Sequence, residues 1–140
     1  MAETPEGKIK RKIKDMLHEH GADVYYFMPA MGQFGKMGVP DIIACVNGFF
    51  LAIEVKADMH KNKPTMLQRR NMMDILTANG TALVIDEKRL PFFKDYLNML
   101  MGGKHERRNI SSSTNEVFVP RSKKSIKSSK RIRISTDNNS

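Results

Sequence analysis

Residues 38–57, GVPDIIACVNGFFLAIEVKA, read as two core strands joined by a turn, yet Asp41, Glu54 and Lys56 stand among their apolar residues. IIACV and FFLAIEV are rich in β-branched and aromatic side chains, and Asn47-Gly48 between them is a strong two-residue hairpin signal. With that turn Val46 faces Phe49, and the ladder continued outward sets Asp41 opposite Glu54. Directly opposed residues have Cβ atoms roughly 4.5 to 5.5 Å apart, and Lys56, two beyond Glu54, points the same way. Two carboxylates and an ammonium thus converge at one end of a hairpin. Opposed like charges destabilise a bare strand pair, so the arrangement suits a bridging divalent cation, and hard oxygen ligands favour Mg²⁺ or Mn²⁺. Such an ion polarises a phosphoryl group and activates water, with Lys56 placed to orient that water or to offset developing charge. The chemistry implied is metal-assisted phosphodiester hydrolysis. The plainer alternative is a strand face that runs from buried to solvated, with Asp41 merely capping the loop after Pro40.

Outward from the hairpin the elements follow in order. Thr4-Pro5 is an N-cap followed by proline at the first helical position, and Ile9, Ile13, Met16 and Leu17 recur at helical spacing, which predicts a helix over 5–20 stopped by Gly21. DVYYFM predicts a strand, and PAMGQFGKMGVP a glycine-rich loop. Pro64 opens a second helix, with Met66, Met73 and Leu76 marking its apolar face and Gly80 its end. TALVID predicts a further strand, and LPFFKDYLNMLM a closing helix with Phe92, Phe93, Tyr96, Leu97 and Leu100 on its apolar side. The fold class is α/β, in the order α-β-β-β-α-β-α, with a mixed sheet flanked by helices. Cys45, the single cysteine, and most of the 11 methionines read as core packing.

Charge divides the chain. Residues 1–103 hold 14 basic and 12 acidic side chains, whereas 104–140 hold 10 and 3, out of a formal net charge of +9. We therefore expect a domain over 1–103 and a flexible basic Ser/Lys/Arg-rich arm over 104–140, in which VFV (117–119) and RIRIS (131–135) are the only alternating pieces. The excess of positive charge points to a polyanion such as nucleic acid. No run approaches the roughly 18 apolar residues of a membrane span, and MAETPEGKIK lacks the apolar core of a signal peptide, so the expected setting is intracellular and soluble, with no membrane partner. The KK and KR clusters of the tail would also serve nuclear import in a eukaryotic host.

At this point the sequence resembles a known group. Pro40-Asp41, a gap of twelve residues and Glu54-Val55-Lys56 resemble the PD-(D/E)xK nuclease signature; GVPD, AIEVK, Gln68 on the next helix and a strand after Gly80 are similar to its VRR-NUC branch, over about residues 4–87. The resemblance implies a restriction-endonuclease-like core and a Mg²⁺- or Mn²⁺-dependent endodeoxyribonuclease. Asp41 and Glu54 would be metal ligands, the Val55 carbonyl a further ligand and Lys56 the catalytic lysine. It also implies a homodimer acting on branched DNA, such as a Holliday junction or a flap, or on duplex DNA.

Secondary candidates carry two readings each. Glu6 in the first turn of helix one is either a further acidic metal ligand, as in families of this fold, or a carboxylate favoured by the helix dipole. Gln68 shares a helical face with Met72 and Ile75, so its amide needs a partner, and the resemblance places it beside the catalytic residues. Lys36 in the glycine loop, and Lys61, Lys63, Arg69 and Arg70 near helix two, are candidate phosphate contacts, or else simply solvated charges. The rival to a nuclease is a non-catalytic nucleic-acid-binding module that relies on the same fold and the basic tail.

Overall fold

In the computed structural model, which describes residues 2–30, 35–103, 116–117 and 132–133, Thr4 accepts a hydrogen bond from the Gly7 N–H at 3.0 Å and Pro5 occupies the first turn, so helix α1 runs over Pro5–His18. It ends two residues before the expected stop. The chain leaves the helix at Glu19 and turns through Gly21, whose φ of 56° lies in the left-handed region, into a short 3₁₀ turn over Gly21–Asp23.

Strand β1 (Val24–Phe27) pairs antiparallel with β2 (Ile42–Val46), which pairs antiparallel with β3 (Phe49–Val55). The turn between β2 and β3 is the two-residue hairpin expected. Asn47 and Gly48 have φ values of 48° and 86°, as a type I′ turn requires, and the register sets Val46 against Phe49 and Ile42 against Ile53. Strand β4 (Thr81–Ile85) then lies parallel to β3, reached through helix α2 (Met66–Thr77), and helix α3 (Leu90–Gly102) follows. The result is a four-stranded mixed sheet in the order β1-β2-β3-β4 with helices on its faces.

One face of the sheet carries the core. Ile42, Ala44 and Val46 of β2 and Leu51, Ile53 and Val55 of β3 pack with Ile9, Ile13 and Leu17 of α1 and with Leu90, Phe93, Leu97 and Leu100 of α3. Each large side chain buried there contributes about 1.5–3 kcal/mol. Phe92, expected on this side of α3, is half exposed instead, because only the 90/93/97/100 stripe faces the sheet.

The other face is covered by α2, chiefly over β4. This explains why several expected core residues are exposed. Cys45 alternates onto the uncovered part of that face and is exposed, like Tyr25 and Phe50. Helix α2 begins at Met66 rather than Pro64, because Thr65 is its N-cap, accepting from the Gln68 N–H while the Gln68 side chain accepts from the Thr65 N–H. It buries Asn71 and Met72, so the stripe of Met66, Met73 and Leu76 points outward, with Met66 80% exposed. The methionines therefore do not fill the core as a class: Met28, Met37 and Met99 are exposed as well. Between α2 and the uncovered strands lies an apolar groove of about 590 Å³ lined by Phe27, Pro40, Ile43, Phe50 and Ile75, among others.

The chain divides into two units, 1–106 and 107–140. In the second, β5 (Glu116–Val117) pairs antiparallel with β6 (Ile132–Arg133), which takes up part of the two alternating pieces. The rest of the tail, and residues 31–34 of the glycine loop, lie outside the described residues. Among the described residues no helix is long and apolar enough to cross a membrane.

Candidate active site

Glu54 is the penultimate residue of β3, on the face toward α2, and is only 2% exposed. A carboxylate buried to this degree needs donors. It has two, both on Oε1: Lys56 Nζ at 2.9 Å and Gln68 Nε2. Gln68 thus works at both ends of its amide, its oxygen capping α2 and its nitrogen holding Glu54. Burial pushes the Glu54 carboxyl above its ordinary range and the charge of Asp41 adds to that push, while the hydrogen bond from Lys56 opposes it.

Asp41 lies one residue before β2, where the ladder continued would set it opposite Glu54. It makes no further rung. Its Oδ2 instead accepts the Val55 N–H at 2.8 Å, and its Oδ1 lies 2.7 Å from Lys10 Nζ on α1. The two carboxylates therefore meet where β2 begins and β3 ends, each balanced by a lysine. Lys56 follows directly, its own N–H bonded to the Ile85 carbonyl at 3.0 Å, so the end of β4 fixes its backbone.

Two hard carboxylates, one of them held above its ordinary pKa range by burial first and by the charge of the other in addition, form a donor set that suits a divalent cation of the Mg²⁺ or Mn²⁺ kind. Among the described residues no group of three His, Cys, Asp or Glu side chains is gathered into a metal site. Glu6 is thus not brought in as a third carboxylate; it stands one turn before Lys10 on the same helix, partly buried. Val55 is fully buried, main chain included. Lys36, Lys61, Lys63, Arg69 and Arg70 are all exposed, the last two following Gln68 on α2 and Lys36 lining the apolar groove. That groove includes Pro40 but not Asp41, Glu54 or Lys56.

Four supporting residues escaped the sequence reading. Lys10 is one, and no local pattern reveals it, since its partner lies 31 positions away on another element. Gly38 has φ +73°, and a Cβ there would come within 2.6 Å of Leu67 Cγ, so the start of GVPD sits directly on α2. Asn71 is buried and donates to the Met37 carbonyl at 3.0 Å, tying the same loop to the same helix. Asp86, also buried, caps the turn before α3 by accepting from Arg89 and reaches across to the Met59 N–H at 3.2 Å. Burial works against its ionisation, but the donors from Met59 and Arg89 prevail and hold its pKa below the ordinary range. The signal for Asp86 was present: an Asp after a strand and just before a proline-led helix is a capping position.

The archaeal Holliday junction resolvase (Hjc) family matches residues 6–82. That span takes in α1, the hairpin and α2, and so Lys10, Asp41, Glu54, Lys56 and Gln68. No curated protein and no solved structure matches the chain. With more than half of the chain aligned and the signature residues meeting at one sheet end, the chain belongs to the archaeal Holliday junction resolvase (Hjc) family, nucleases of the PD-(D/E)xK type.

Proposed function

We propose that this protein is a Mg²⁺- or Mn²⁺-dependent endodeoxyribonuclease that hydrolyses phosphodiester bonds at the branch of a four-way DNA junction. The observation that carries the reading is the shared use of Glu54 Oε1 by Lys56 and Gln68 directly beside Asp41. Asp41 and Glu54 would hold the ion, with the Val55 carbonyl as a further oxygen. When bound, the ion supplies positive charge to the scissile phosphate and makes an attacking water more acidic. Gln68 keeps Glu54 in one orientation, so the carboxylate does not have to reorganise during the reaction. Lys56 Nζ, only 13% exposed at its side chain and fixed at 2.9 Å from Glu54, holds its protons where charge develops on the phosphoryl oxygens.

Around this centre, Lys36, Lys61, Lys63, Arg69 and Arg70 contact phosphates, and the basic arm over 104–140 adds affinity without sequence information. Two copies pair to cut opposed strands. The exposed apolar residues Met66, Leu67, Met73 and Leu76 on α2 and the neighbouring groove support an interface of this kind. The similarity to the VRR-NUC branch then reflects kinship within one superfamily. The test is cleavage of labelled four-way, flap, linear duplex and single-stranded DNA side by side, with the molar mass in solution measured alongside. Preferential cutting at the branch by a species of twice the chain mass is expected. Binding of the junction without cutting at any metal concentration would point to the non-catalytic binding module.

A further inference from the structure

Lys10 has no part in the chemistry above, yet its ammonium lies 2.7 Å from Asp41 Oδ1. The pair is not a chance surface contact. Lys10 follows Ile9 on a helix whose Ile9, Ile13 and Leu17 are buried, so core packing fixes the base of its side chain. Asp41 is fixed from the other side, because its Oδ2 holds the Val55 N–H at 2.8 Å. The side chains of both partners are about a quarter or less exposed. Oδ1 is the Asp41 oxygen that takes no backbone hydrogen bond and so the freer one to meet a cation, and Lys10 covers it. An ammonium and a divalent ion cannot occupy the same side of one oxygen. Lysine suits temporary occupancy, as a compact charge on a flexible four-carbon stem that swings without disturbing its backbone.

We propose that Lys10 is a placeholder cation: it neutralises Asp41 while the metal site is empty, gives up Oδ1 to a divalent cation, and then turns to a phosphate of the bound DNA. The proposal rests on Asp41 being a metal ligand. It differs from the alternative of a structural strut between α1 and β2 in the sign of its consequence for metal binding. A strut holds the site in shape, and its loss weakens the metal; a placeholder competes, and its loss strengthens it.

The experiment is a calorimetric titration of full-length protein with Mn²⁺ alone, without DNA, for wild type, Lys10→Met and Lys10→Arg. Removing a partly exposed ion pair should make Mn²⁺ binding about two- to fivefold tighter in Lys10→Met. Lys10→Arg, which keeps the charge, should stay close to wild type. At saturating Mn²⁺, Lys10→Met should also bind a four-way junction several-fold more weakly, since one phosphate is left without its cation. Lys10→Gln is a second neutral variant, should Lys10→Met not fold, and is expected to shift Mn²⁺ affinity in the same direction. Equal or weaker Mn²⁺ binding by the neutral variants overturns the placeholder while leaving the metal reading intact. Mn²⁺ binding that is absent from wild type, or unchanged by Asp41→Asn, overturns the metal reading, and the placeholder with it.

Discussion

At the scale of the residue, the site is a problem in burying charge. Glu54 is burdened first by desolvation and then by Asp41, and Lys56 offsets only part of that burden. Its folded-state pKa lies above the ordinary 4.5, so the native state holds this proton more tightly than the unfolded chain. The resulting stability is present below about 4.5 and is lost as the pH rises through the raised value. Denaturant unfolding of the metal-free protein across that window should show wild type losing stability with rising pH, and Glu54→Gln showing a flatter dependence. Added Mn²⁺ should raise the melting temperature of wild type more than that of the variant, because the ion favours the ionised pair. The pairing of Asp41 with Glu54 was legible because a two-residue turn leaves no freedom in the register. What the turn does not encode is that Asp41 leaves the ladder to bond the Val55 N–H, or that a lysine from α1 reaches it.

At the scale of the element, α2 decides whether the site stays assembled. Thr65 and Gln68 close a capping box, and the same Gln68 holds Glu54. Thr65→Ala should therefore cost about 1 kcal/mol of stability in chemical unfolding. It should slow cleavage less than Gln68→Ala, which removes both the cap and the hydrogen bond to Glu54. Gly38→Ala is expected to destabilise by about 1–3 kcal/mol, since it combines a left-handed backbone with a clash against Leu67. Because Gly38 leads into Pro40-Asp41, the variant should also lose Mn²⁺ affinity; unchanged affinity would mean that this packing does not position Asp41. Strands β2 and β3 were readable to the residue, since alternation and turn chemistry agree there. The apolar face of α2 was not. Met66, Met73 and Leu76 recur at helical spacing, but spacing reports a stripe and not which side of the helix meets the sheet. Gln68, sharing its face with Met72, was the better guide, because a polar side chain beside buried residues implies a partner inside.

At the scale of the whole molecule, a mixed sheet brings the end of an antiparallel hairpin and the end of a parallel strand to the same edge. Charge divides along the sequence: residues 1–103 are close to neutral, and most of the excess lies beyond residue 103. Replacing Lys123, Lys124, Lys127, Lys130, Arg131 and Arg133 by Gln should weaken junction binding and flatten its salt dependence, by up to about 0.9 in log–log slope for each phosphate no longer neutralised. The rate of the bound complex should change little. A strong fall in that rate would mean that the tail takes part in the chemistry. The order of elements and the division of charge were visible in the sequence, whereas the half-covered second face was not, because it depends on where a single helix lands. The central claim is that Lys56 and the carboxylate pair form a metal-dependent nuclease centre. The most direct measurement is single-turnover cleavage of a labelled four-way junction by wild type and Lys56→Ala, each in Mg²⁺, Mn²⁺ and EDTA. For a metal-dependent centre of this kind, wild type should cut with either ion and not in EDTA, and Lys56→Ala should lose at least about a hundredfold with junction binding retained. Cleavage that persists in EDTA, or that Lys56→Ala leaves intact, would contradict that claim.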